Sequence, residues 1–191
     1  MGYTHYWSIK KDISQPHWEK FCEVCKVLIE NAPQYSESSG GYYSDVPLYV
    51  HGELQRNPII DKDEICFNGG DVPPEKRKKN TYAPHKGEPF VYYGPKRAKN
   101  NSTYAHDEYS HETFLFKRVV GDDTFMFCKT ARKPYDLLVQ ACLIAAVALL
   151  PEVERVSSDG NLDEWKAALE YVASHFPDIT IKVAMSPKFQ V

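Results

Sequence analysis

Two periods of apolar residues run along this chain and predict most of its elements. From Gly2 to Ile9, Tyr3, His5 and Trp7 alternate with Thr4, Tyr6 and Ser8, as in a half-buried strand. The period then lengthens. Between Gln15 and Asn31, Trp18, Phe21, Cys22, Cys25, Leu28 and Ile29 fall three and four apart and make one core face of a helix. Ser14 suits its N-cap and Pro16 its first turn, and Ala32-Pro33 ends it. Tyr35 to Tyr43 reads as a loop rich in Ser, Gly and Tyr, and Leu48 to His51 as a short strand. Glu64 to Asn68 is a clearer strand, with Ile65 and Phe67 on one side and Gly69-Gly70 as its stop.

The middle of the chain has little periodicity. Asp71 to Pro89 holds four prolines and a basic run, and is expected to be a mobile basic loop or lid. Phe90 to Tyr93 reads as a brief strand and Gly94 to Asp107 as polar loop. Glu112 to Val119 alternates Thr113, Leu115 and Lys117 with Phe114, Phe116 and Arg118. Gly121-Asp122-Asp123 signals a tight turn, which makes Thr124 to Lys129 the partner strand of a hairpin.

Leu137 to Leu150 has one clearly polar residue, Gln140, and predicts a helix buried on most sides. Pro134 fits its first turn. Val153 to Ser157 is strand-like and Ser158-Asp159-Gly160 a turn. Asn161 or Asp163 caps an amphipathic helix to about His175, with Leu162, Trp165, Leu169, Val172 and Phe176 as its apolar face. Pro177 ends it, and Ile179, Ile181 and Val183 suggest a last strand. The whole is an α+β (or α/β) fold over residues 1–191. It is a single domain with a mixed sheet and about three helices, one of them central and buried.

Composition adds a charge asymmetry and an aromatic excess. Net charge is −3, and aromatics are 13% of the chain with 13 Tyr. Gly69 to Asn101 carries eight Lys/Arg against three acids, and so the remainder carries −8. An acidic body does not suit general nucleic-acid binding. No apolar h-region opens the chain and no apolar run reaches the ~20 residues of a membrane span. With five cysteines, an odd number, reduced thiols in the cytoplasm are the expectation.

Four groups of residues could carry chemistry. Lys129, Thr130, Arg132 and Lys133 precede the buried helix, whose free N–H groups and dipole favour phosphate or carboxylate; the alternative is pairing with surface acids. His106-Asp107-Glu108-Tyr109-Ser110-His111-Glu112 joins imidazoles and carboxylates, as acid–base work or a metal would require, or is a polar loop. Cys22-Glu23-Val24-Cys25 has the spacing of redox and zinc motifs, but lies in an amphipathic helix with no second Cys-x-x-Cys, which favours core thiols. Asn68-Gly69-Gly70 after a strand would let the backbone approach a ligand closely.

The opening Met1-Gly2-Tyr3-Thr4-His5-Tyr6-Trp7 resembles that of an uncharacterised family found in phages, bacteria and some fungi. The resemblance continues through Phe67-Asn68-Gly69, His111-Glu112-Thr113-Phe114, Phe127 to Asp136, and Ser158-Asp159-Gly160 with Trp165. It assigns no catalytic residue. The basic loop and the Tyr-rich loop look like insertions beyond that family's pattern. By analogy, a phage setting implies a small protein that sequesters or destroys a host immune nucleotide.

The expected function is therefore binding of a small anionic, nucleotide-like ligand. His5, Tyr6, Asn68, Glu112, Lys129, Thr130 and Arg132 would line one pocket, because their blocks end strands or start helices. Aromatic rings would stack the base and cations hold the phosphate. One alternative is a phosphoesterase or hydrolase, with His5, His111 and Glu112 as acid–base or metal residues and Lys129 and Arg132 stabilising charge. Another is an oligomeric interaction module using the tyrosines of Tyr35 to Tyr49. No resident cofactor or metal is expected; a homo-oligomer is compatible with the ligand reading.

Overall fold

A computed structural model describes residues 2–33, 35–36, 46–48, 50–51, 57–70 and 109–191. The elements are β1 (Thr4–Ile9), α1 (Gln15–Glu30), β2 (Tyr35–Ser36), β3 (Val46–Pro47), β4 (Val50–His51), β5 (Ile59–Ile60), β6 (Glu64–Gly69), β7 (Phe114–Lys117), β8 (Phe125–Lys129), α2 (Asp136–Leu149), β9 (Val153–Ser158), α3 (Leu162–His175), α4 (Pro177–Ala184) and β10 (Phe189–Gln190). The class is α+β. The expectations for Asp71 to Pro89, Phe90 to Tyr93 and Gly94 to Asp107 lie outside the described residues, as does most of Tyr35 to Tyr43; of the latter, Tyr35 and Ser36 pair with Pro47 and Val46.

The first sheet runs β10-β9-β1-β8. β1 is antiparallel to both neighbours, and β10 is parallel to β9. In the second sheet β6 takes β5 and β7 on its two edges and also pairs with β4. Period-two patterning sets the inner faces. Tyr3, His5, Trp7 and Ile9 point into the core from β1 and the residue before it, and Phe114 and Phe116 from β7. Trp7 joins the sheets, stacked on Phe116 at 5.7 Å between ring centres. Trp18 and Phe21 of α1 close on the same cluster.

α2 is sealed, with every residue from Asp136 to Val147 buried. It packs against α1, α3, α4 and β9. Of its two buried polar side chains, Asp136 and Gln140, the latter is satisfied: Nε2 shares its two protons among the Tyr3 hydroxyl, Asp136 Oδ2 and the Glu164 carbonyl. No helix of the described residues is long and apolar enough to cross a membrane.

Several elements differ from expectation. β7 and β8 are not a hairpin: β7 joins β6, and β8 joins β1. The turn is present, with Gly121 at φ 55. Asp12 draws it toward the first sheet, its Oδ1 accepting from the N–H groups of Val120 and Gly121. Phe114 and Phe116 meanwhile hold β7 in the second sheet's core. Ile179 to Val183 is helical rather than a last strand. Pro177 both closes α3 and sits in the first turn of α4. Ile179 and Val183, four apart, are buried, whereas Ile181 is 60% exposed. Leu162 is exposed and Ala168 takes the face position between Trp165 and Val172. Pro134 precedes α2 rather than entering its first turn, because Asp136 opens the helix.

Candidate functional site

The chain between β8 and α2 is a tight turn. Ala131 and Arg132 both adopt left-handed backbone, at φ 51 and 57. For residues with a Cβ this costs about 1–2 kcal/mol each. The turn is held by Ala131 N–H to the Tyr3 carbonyl and Lys133 N–H to the Thr130 carbonyl. Arg132 anchors its outer side. Nε and Nη2 reach Glu164 Oε1 at 2.9 and 2.8 Å, and the guanidinium lies 4.0 Å over the Tyr3 ring. Glu164 also closes the capping box of α3 with Asn161.

Beneath the turn lies a buried polar network. Asp136 Oδ1 accepts from Thr130 Oγ1 at 2.5 Å and lies 2.6 Å from His5 Nε2, while Oδ2 accepts from Gln140. A carboxylate only accepts, and so Nε2 is the protonated nitrogen of His5. The imidazole has 0% exposure and sits edge-on between the Tyr3 and Trp165 rings. Asp136 occupies the position at the start of α2 that an external anion was expected to take.

Glu112 and Asn68 bind backbone. Glu112 Oε2 accepts the Lys129 N–H at 2.7 Å, its own N–H donates to the Lys129 carbonyl, and its carbonyl accepts the Tyr135 hydroxyl at 2.6 Å. Burial, chiefly, with Cys128 and Asp136 beside it, pushes that phenol well above its usual range. Asn68 Nδ2 donates to the His111 carbonyl and Thr113 Oγ1, and its Oδ1 accepts the His111 N–H. Gly69 does allow a close approach, but of the Tyr109 carbonyl and the Tyr135 ring.

The candidates thus do not form one pocket. His5 and Thr130 are interior. Asn68 and Glu112 fasten the segment before β7 to β6 and to the end of β8. Arg132 is engaged by Glu164. Tyr6 and Lys129 remain, on the outer face of the first sheet. His5, His111 and Glu112 share no hydrogen bond with one another, and no three His, Cys, Asp or Glu of the described residues are placed to hold a metal. His106 lies outside the described residues. The Cys-x-x-Cys thiols form no disulfide; Cys25 is buried and Cys22 is half-buried with its Sγ toward the Asp61 carbonyl, and burial pushes Cys22 up to about 12 and Cys25 well above the ordinary thiol range. That keeps both protonated and unreactive.

The outer face carries features that sequence reasoning missed. Register places Tyr6 opposite Phe127, Ser8 opposite Phe125 and Arg155, and Thr4 opposite Lys129. Phe125 and Phe127 are each 57% exposed. Tyr6 stacks on Phe125 at 6.1 Å, and its hydroxyl donates to Asp159 Oδ1. Among the described residues Lys129 and Arg155 form no ion pair. The run Phe125-Met126-Phe127-Cys128 is apolar at every position, and so its period could not say which two faced solvent. A cleft of about 130 Å³ between β7 and β8 is lined by Leu115, Lys117, Val119, Val120, Asp123 and Met126, none of them a candidate. No protein-family model, curated protein or solved structure matches the chain.

Proposed function

We propose that the protein binds a phosphorylated, nucleotide-like small molecule on the outer face of its first sheet. The observation that carries this reading is the 57% exposure of both Phe125 and Phe127, beside Tyr6 and between the cations Lys129 and Arg155. Burying a Phe stabilises a fold by about 1.5–3 kcal/mol, and here most of that is forgone twice on one strand. A base stacked on such a ring contributes about 1–3 kcal/mol. Lys129, at the turn end of β8, supplies a point charge for phosphate. Asp159 also lies at that end, with its oxygens held by the Tyr6 hydroxyl and the Thr4 N–H. His5, Thr130, Asn68, Glu112 and Arg132 hold the sheet end and its turn in shape rather than touching ligand. In a phage setting, one of those in which the family it resembles occurs, such a face would take up a host immune nucleotide.

The test is a thermal-shift panel of nucleotides and cyclic dinucleotides. Ligand at 100 times its dissociation constant adds about 2.7 kcal/mol to stability. A shift with at least one nucleotide, lost in Phe127→Ala, is expected, and the ligand should be recovered unchanged after heat denaturation. No shift across the panel ends this reading; loss of the ligand to a product would replace it with an enzyme.

A further inference from the structure

We infer that the outer face takes two nucleotide units, so that its ligand has two bases and two phosphate groups. This rests on the nucleotide-binding reading and adds the size of the ligand. Phe125 and Phe127 are successive outward residues of β8, which separates them by about 6.8 Å along the strand. Each is exposed to the same degree; their outward neighbours on β1 are Ser8 and Tyr6, and the Tyr6 ring extends one face of Phe125 by stacking on it. One base needs one ring, and the second equally open ring has no part in holding a single nucleotide.

The charges repeat the duplication. Lys129 lies beyond Phe127 and faces Thr4, whereas Arg155 faces Ser8 beside Phe125. They stand four residues apart along the strands and two strands apart across the sheet, roughly 16 Å between backbones. The Lys129 side chain runs along Gly2, away from Arg155, and so in this arrangement one phosphate does not meet both. A dinucleotide can, with one base on each Phe and a phosphate toward each cation. Among the described residues β8 is also the edge strand of its sheet, with no strand on the side of both rings away from β1. Aromatic rings on a four-stranded sheet stack two or three bases in a well-known mode of single-strand recognition.

The test compares dissociation constants of adenosine monophosphate and 5′-phosphorylated diadenylate for the full chain by isothermal titration. Diadenylate should bind on the order of tenfold more tightly, the gain from one further base stack. Phe125→Ala should erase that ratio and leave the monophosphate within about twofold of its original affinity. Arg155→Ser should lower the ratio, more at low salt than at high. Both positions are exposed, and unchanged melting of the free variants confirms that they fold. Cyclic diadenylate and a deoxyadenylate octamer in parallel separate the sources: tightest binding by the cyclic form identifies a signalling dinucleotide, and by the octamer a nucleic-acid strand. If the monophosphate binds as tightly as diadenylate, or Phe125→Ala leaves the ratio intact, the two-unit site is wrong and the single-nucleotide reading stands. If neither binds, both fail.

Discussion

The His5 imidazole lies 2.6 Å from the Asp136 carboxylate, joining the first strand to the start of the central helix. Both side chains are buried, and Thr130 and Gln140 donate to the same carboxylate. Asp136→Ala leaves His5 Nε2 and Thr130 Oγ1 without their acceptor, whereas Gln140 keeps the Tyr3 hydroxyl and the Glu164 carbonyl. Each buried donor left unsatisfied costs about 1–3 kcal/mol, and a loss of about 2–6 kcal/mol in urea unfolding is expected. A loss under 1 kcal/mol would mean that the network relaxes around water.

The outer rings should show the opposite behaviour. Phe127→Ala is expected to change unfolding free energy by no more than about 0.5 kcal/mol, because the ring is mostly exposed. Nucleotide binding should meanwhile weaken by about 1–3 kcal/mol. Equal losses in stability and in binding would make the ring a packing residue.

Ala131 offers a gain. Its left-handed backbone, φ 51, suits glycine. Ala131→Gly relieves about 1–2 kcal/mol of strain and gives back part of it through the freer unfolded chain. A net rise in stability of up to about 1 kcal/mol is expected by thermal unfolding, and a fall would show that the Ala131 methyl group packs usefully.

Stability should decline in acid. Burial pushes the Glu152 carboxyl up, but hydrogen bonds from His17, its own backbone and Ser14, with the His17 charge, bring it below the usual value of 4.5. Asp12 is held below 3.8, chiefly by the N–H groups of Val120 and Gly121. For lowered carboxyls the stabilisation is present above the unfolded values and is lost as pH falls through the folded ones. Urea midpoints should therefore drop below about pH 4.5. His17→Ala should flatten the Glu152 part of that drop, and an unaltered profile would exclude this pair.

The last helix can be checked by contrast. Val183→Lys buries a charge and should cost more than about 3 kcal/mol, whereas Ile181→Lys should fall within about 0.5 kcal/mol. Similar effects at both positions would return this segment to an alternating strand.

The long periodic elements were legible because one face dominates each. Trp18, Phe21, Cys25 and Leu28 could make only one helix stripe, and the run after Asp136 could only be interior. Ile179, Ile181 and Val183 deceived because three alternating apolar residues fit both periods, and only Pro177 and the burial of Ile179 with Val183 decide for the helix. The hairpin failed for a different reason: a turn signal fixes where the chain reverses, not which strand each arm joins, and Asp12 at the turn and Trp7 against Phe116 act on it from far away in sequence. At the site, residue chemistry was legible but direction was not. His5 and Tyr6 are adjacent, yet a strand turns them to opposite faces. The anion expected at the helix start is in the sequence itself, as Asp136, the last residue of the block Phe127 to Asp136.

An anion that is part of the chain cannot be diluted, washed out or exchanged. With Asp136 in place, the start of α2 is compensated whether or not anything occupies the surface. Assembly of the interior is therefore independent of ligand supply. The protein should fold and persist while empty, and whatever it captures adds its binding energy to a framework that is already complete.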